Sequence, residues 1–127
     1  MSDMGLFYTT VAIENHVRRG EMRELTNVLV DTSAESTWIP RPILESLDIP
    51  VEKEYTYQMA DGRLLTREIG YAIIHVEGRQ TTEEVAFAEP SDLVLLGARA
   101  LEGLSLRVDP RLKRLVRSGP RITAGVA

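Results

Sequence analysis

Short runs of β-branched and aromatic residues, each cut by turn-forming residues after about ten positions, fill this chain from Leu6 to Val116. Leu6 to Ile13, Leu25 to Val30, Glu54 to Met59, Leu64 to Val76 and Thr81 to Ala88 all suit a pleated, half-buried surface. His16 to Gly20 is polar and reads as a connection. Asp61-Gly62 stands between two of the runs, where a hairpin needs residues that accept positive backbone angles. Val94-Leu95-Leu96 is a wholly apolar run that a strand buries on both faces, and Ala98 to Leu104 after Gly97 reads as a short helix. Pro40 to Leu47 could form another, starting near Pro42 with Ile43, Leu44 and Leu47 on one face. Leu106 to Val108 and Leu115-Val116 supply two last strands around the Asp109-Pro110 turn, and residues 119–127 read as a loosely ordered tail. No internal repeat is present. Such a pattern predicts one all-β domain over residues 1–127, a sandwich or barrel.

Composition narrows the function. The 127 residues carry 15 basic and 19 acidic side chains, a net charge of −4, which disfavours a nucleic-acid binder in need of a basic face. Cysteine is absent, so disulfides and thiolate metal sites are excluded. The two histidines, His16 and His75, are isolated in sequence, which gives neither a metal centre nor a serine triad an evident set of partners. No stretch approaches the roughly 18 apolar residues of a membrane helix, so no membrane partner is expected. Met1-Ser2-Asp3-Met4-Gly5 lacks the basic-then-apolar pattern of a signal peptide, and the expected location is cytoplasmic.

The segment that carries chemistry is Val28-Leu29-Val30-Asp31-Thr32-Ser33-Ala34-Glu35-Ser36-Thr37-Trp38-Ile39. An apolar strand delivers a carboxylate to its end, and hydroxyl and small residues follow before Trp38-Ile39 returns to the core. Strand alternation puts Leu29 and Asp31 on one face, so the carboxylate emerges beside an apolar wall. Two carboxylates that share a proton can activate water on one side and protonate a carbonyl oxygen on the other. That chemistry requires a pair. An acidic residue at a strand end before Thr and Ser is equally what a simple turn or cap uses, and these residues alone leave both readings open. Asp92 sits in a loop after Pro90-Ser91 and Asp109 precedes Pro110, so neither repeats the pattern, and a second carboxylate would have to come from a symmetric partner.

Three blocks together resemble the retropepsin-like aspartic peptidases, in particular small bacterial members. They are Leu29-Val30-Asp31-Thr32-Ser33-Ala34, Ala60-Asp61-Gly62 and Leu95-Leu96-Gly97-Ala98-Arg99-Ala100-Leu101, in that order, within a likeness from about Leu6 to Val116. The extension from Leu101-Glu102-Gly103-Leu104 through Val108-Asp109-Pro110 to Arg114-Leu115-Val116 is similar to the bacterial members as well. The resemblance implies a closed or nearly closed acid-protease β-barrel with one short helix after Leu96, working as a homodimer. It implies Asp31 as the catalytic aspartate, with Thr32 bonding across the dimer axis. Ala34 and Glu35 would lie along the substrate backbone, Leu29, Trp38 and Leu95 would line side-chain pockets, and Met59 to Arg63, with Ala60, Asp61 and Gly62, would form the flap tip. An ion pair between Glu35 and Arg99 is a further implication. Ser33 departs from the family, which has glycine there; its side chain either crowds the paired carboxylates or adds a hydroxyl to their hydrogen bonds.

The expected function is hydrolysis of peptide bonds by water held between two Asp31 carboxylates, without metal or cofactor, on an extended peptide substrate. The alternatives are a dimer of the same fold that binds extended peptides without cleaving them, and a metal-dependent hydrolase, which chelators would inhibit.

Overall fold

Asn27 is the residue that aims the strand leading to Asp31. A computed structural model describes residues 6–125, and among these the chain begins with β1 (Tyr8–Glu14) paired antiparallel to β2 (Met22–Val30). The register shifts between Thr9 and Val11, and opposite that shift Asn27 has a φ of 57°. This is a bulge, with two residues on one strand facing one on the other. It explains why Leu25 and Val28, three apart rather than two, both reach the core. Beyond the bulge Val28 and Val30 are buried, which turns Leu29 and Asp31 to the opposite face.

The remaining elements are β3 (Thr37–Pro40), α1 (Arg41–Ser46), β4 (Lys53–Gln58), β5 (Leu64–Val76), β6 (Arg79–Ala88), β7 (Leu95–Leu96), α2 (Ala98–Leu104), β8 (Leu106–Asp109) and β9 (Arg114–Arg117). The helix expected after Leu96 is α2, and the possible helix near Pro42 is α1, which has a proline in its first turn. Seven strands form one sheet in the order β1-β2-β7-β3-β6-β5-β4, and β1 also pairs with β5. The pairings therefore run in a ring from β1 back to β1, while β4 stands outside it, bonded to β5 alone. β8 and β9 form a separate hairpin, and Asp109 closes its turn by accepting from the amides of Arg111 and Leu112.

Inside the ring Val11, Ile13, Val28, Ile39, Ile74, Val85, Phe87 and Leu96 make a continuous core, joined by Leu44 of α1 and Leu101 and Leu104 of α2. Each fully buried aliphatic or aromatic side chain contributes roughly 1.5–3 kcal/mol, so this core fixes the strands on which the site is built. After β9 the chain runs back over α2, where Arg121 donates to the Glu102 carbonyl and to Ser105 Oγ.

One expected side-chain pair needs correction, and one histidine that is isolated in sequence gains a neighbour. His75 is not without a partner, because the β1–β5 pairing sets its Nε2 2.8 Å from Glu14 Oε1. Arg99 does not form an ion pair with Glu35; its guanidinium faces Glu84 at 4.0 Å, and its backbone amide donates to the Glu35 carbonyl instead. Arg99 lies on the second residue of a helix whose first amides point at the 34–35 carbonyls, so its side chain leaves toward β6.

Candidate active site

Asp31 leaves β2 as the strand ends, and its amide donates to the carbonyl of Leu96 on β7. β7 is only two residues long but it organises the site. It pairs in parallel with β2, Leu29 beside Leu95, and antiparallel with β3, Trp38 beside Leu95. Leu29, Leu95 and Trp38 thus form one row across three strands, and this is the apolar wall beside the carboxylate.

The turn from Asp31 to Ser36 is held from below by α2. Amides of Ala98 and Arg99 donate to the carbonyls of Ala34 (2.7 Å) and Glu35 (3.2 Å), and the amide of Gly97 donates to the buried Thr37 hydroxyl at 3.0 Å. The helix has no side-chain cap, so the turn's carbonyls satisfy its first amides. Gly97 is required by space rather than by conformation. Its φ of −98° is ordinary, but a Cβ there would stand 2.3 Å from the carbonyl oxygen of Ser36 and 2.9 Å from that of Ala34.

At the turn itself Ser33 makes two bonds to one oxygen. Its amide donates to Asp31 Oδ1 at 2.9 Å and its hydroxyl donates to the same atom at 2.6 Å. Ser33 is not among the residues with positive φ, so the backbone here has no need of glycine.

Asp31, Ser33, Ala34, Glu35, Trp38, Met59 and Leu95 line one cavity of about 520 Å³. Of the other residues expected at the site, Thr32 stands between the lining residues Asp31 and Ser33 and Leu29 pairs with Leu95, but neither lines the cavity. Ala60, Asp61 and Gly62 sit at the exposed tip of the β4–β5 hairpin and do not line the cavity. The tip is a tight turn. Gly62 has a φ of 88° and donates to the Met59 carbonyl at 2.9 Å, and the Asp61 carboxylate accepts from the Arg63 amide and guanidinium.

Sequence reasoning missed half of the lining: Ser36, Tyr57, Gln58, Leu65, Ser91, Asp92 and Leu93. Tyr57 packs on Trp38 with ring centroids 5.1 Å apart and donates to Ser36 Oγ at 2.9 Å, which joins hairpin strand β4 to the turn. Burial of this ring pushes its hydroxyl pKa up. The available signal was hairpin register: Tyr57 pairs with Leu65, so the two enter the cavity together. Asp92 is in a loop, as its sequence indicated, but that loop is a wall of the cavity. Two bonds from Arg67 hold its carboxyl below the usual carboxylate range. Among the described residues no group of His, Asp or Glu side chains is arranged to hold a metal ion.

No family model matches the sequence, and neither does any curated protein. Among solved structures the chain is similar to the protease of Simian Foamy Virus (mac), determined in solution. The TM-score is 0.54 at 22% identity, over 76% of this chain and 92% of the viral one. The fold is retropepsin-like. A predominantly β chain of this fold has the strand-end aspartate, the β4–β5 hairpin and the Gly97-led helix that its sequence blocks announced. No helix among the described residues is long and apolar enough to cross a membrane.

Proposed function

We propose that the chain is one subunit of a homodimeric aspartic endopeptidase, in which Asp31 and the Asp31 of a second copy hold the attacking water between them. One observation carries this reading: Asp31 stands at the end of a core strand, on a turn fixed by Leu96 and α2, with its carboxylate at the edge of a largely apolar cavity. Asp92, the other aspartate in the lining, cannot serve as the second carboxylate. Both its oxygens are occupied, by Arg67 and by the amide of Glu89. Twofold symmetry supplies the missing group by setting identical turns face to face, with Thr32 on the axis.

In the paired state one Asp31 carboxylate takes a proton from the water as it attacks the peptide carbonyl. The other, protonated, donates to the developing oxyanion. The substrate runs extended between the 31–36 turn and the β4–β5 hairpin, where main-chain hydrogen bonds hold it as an added strand. Leu29, Trp38 and Leu95 receive its side chains, Ala34 and Glu35 follow its backbone, and residues 59–63 close over it as a flap. The ring of strand pairings acts as a closed barrel that keeps this frame rigid. Neither metal nor cofactor takes part.

The test is hydrolysis of a broad peptide library at several pH values. Wild type should cleave and sediment at about twice the mass of the chain. Asp31→Asn, which keeps the shape but removes the ionisable group, should fold, dimerise and leave the library intact. Cleavage by Asp31→Asn, or a wild type that binds peptides as a dimer yet cleaves none, would overturn the peptidase in favour of another catalytic group or a binding module.

A further inference from the structure

The loop between β6 and β7 lines the cavity through Ser91, Asp92 and Leu93, yet packing does not hold it. Pro90 and Ser91 are exposed and Leu93 is 64% exposed, so no apolar side chain between Glu89 and Leu93 is buried. Its fixed points are polar. Within the loop Asp92 and Glu89 exchange two bonds, the Asp92 amide to the Glu89 carbonyl (2.9 Å) and the Glu89 amide to Asp92 Oδ2 (2.8 Å). From outside, Arg67 on β5 meets the Asp92 carboxylate with both arms of its guanidinium, Nε to Oδ2 at 2.7 Å and a terminal nitrogen to Oδ1 at 2.9 Å. The side chains are 16% and 9% exposed, so solvent screens the pair only weakly. One residue on, Glu68 shares the Arg41 guanidinium with Glu89, a second tie between the hairpin arm and the loop.

Arg67 itself stands outside the cavity lining. A shielded ion pair returns little net stability after desolvation, but a two-armed one fixes direction as well as distance. We infer that Arg67 is a positioning residue: its grip on Asp92 holds residues 89–93 as a fixed wall of the site, so that peptide affinity depends on it more than the bond-breaking step does. The consequence for affinity rests on the peptidase reading, while the grip can be measured without it.

The experiment compares Arg67→Met, Arg67→Lys, Asp92→Asn and the Arg67→Met/Asp92→Asn double variant, by peptide hydrolysis and by amide hydrogen exchange of the unliganded protein. Displacement of a binding wall by a fraction of an ångström should raise KM about tenfold in Arg67→Met, with kcat changed less than about twofold. Arg67→Lys, which keeps the charge but not the fork, should recover part of that loss, and the double variant should be no worse than Arg67→Met alone. Exchange of the Glu89 and Asp92 amides should quicken in Arg67→Met while that of β1 and β2 stays as in wild type. Unaltered exchange of the Glu89 and Asp92 amides overturns the inference. So does a KM like that of wild type, or a kcat that falls as far as kcat/KM. If Arg67→Met fails to fold, Arg67→Lys and Asp92→Asn decide the question by the same readouts. A wild type that cleaves nothing speaks against the peptidase, and the exchange comparison then decides the grip.

Discussion

The Ser33 hydroxyl donates to Asp31 Oδ1 at 2.6 Å, on the same oxygen that the Ser33 amide reaches at 2.9 Å. Within the single chain, then, this side chain is a hydrogen-bond donor to Asp31. A hydrogen bond of this kind contributes about 0.5–1.5 kcal/mol, and this one fixes the direction of the Asp31 side chain. Ser33→Ala and Ser33→Gly both keep the amide bond and lose the hydroxyl one. Each should lower kcat/KM, by about tenfold, in a peptide cleavage assay. A Ser33→Gly variant faster than wild type would show that the side chain obstructs the site instead.

Gly97 should tolerate no side chain. With a Cβ 2.3 Å from the Ser36 carbonyl oxygen, Gly97→Ala must push the 34–36 turn away from α2. Overpacking of this kind costs about 1–3 kcal/mol, readable as a lowered midpoint in urea with an unchanged slope. A midpoint equal to that of wild type would mean that the turn and helix are less tightly joined than their hydrogen bonds indicate.

Gly62 makes the opposite case, because a Cβ there meets nothing within 4 Å and only its φ of 88° resists substitution. Gly62→Val should therefore cost about 1–3 kcal/mol of local backbone strain, concentrated in the hairpin tip. Turnover should fall while the β1–β2 amides keep their exchange protection. Full activity in Gly62→Val would remove the tip from the account of closure.

Glu14 sets an acid limit on stability. It is nearly buried, and bonds from the Gly20 amide, Arg19 and His75 lower its pKa from 4.5 to about 2. A carboxylate whose pKa is lower folded than unfolded stabilises the native state above its unfolded value. That contribution is lost as pH falls toward the folded value. Melting temperature should thus drop between about pH 4.5 and 2 more steeply for wild type than for Glu14→Gln, followed by circular dichroism. Parallel curves would mean that Glu14 is not held as its contacts indicate.

Much of the frame was legible because local chemistry decides it. Val, Ile, Tyr and Thr runs became strands, Asp61-Gly62 became the hairpin tip, and Leu95-Leu96 became a buried strand that Gly97 leads into a helix, with Val94 half-buried just before it. The place of Asp31 at a strand end could be read because an apolar strand ran directly into it. What stayed hidden depends on which strands meet. His75 finds Glu14 across 61 positions only through the β1–β5 pairing, and Arg67 reaches Asp92 across 25 only because a hairpin arm lies over the β6–β7 loop. The Glu35–Arg99 pair failed because residue spacing does not say which side of a helix faces a turn. The bulge at Asn27 also has no plain mark in sequence, although it decides which face carries Asp31.

The central claim is a site shared between two chains, and subunit mixing tests it most directly. Wild type and Asp31→Asn are mixed in equal amounts, unfolded and refolded together so that subunits redistribute, and peptide cleavage is measured against wild type alone at the same total concentration. If each active unit needs Asp31 from both copies, only the doubly wild-type dimers cleave, and about a quarter of the activity remains. A remainder of about half would mean that each chain works alone, and would contradict the shared site.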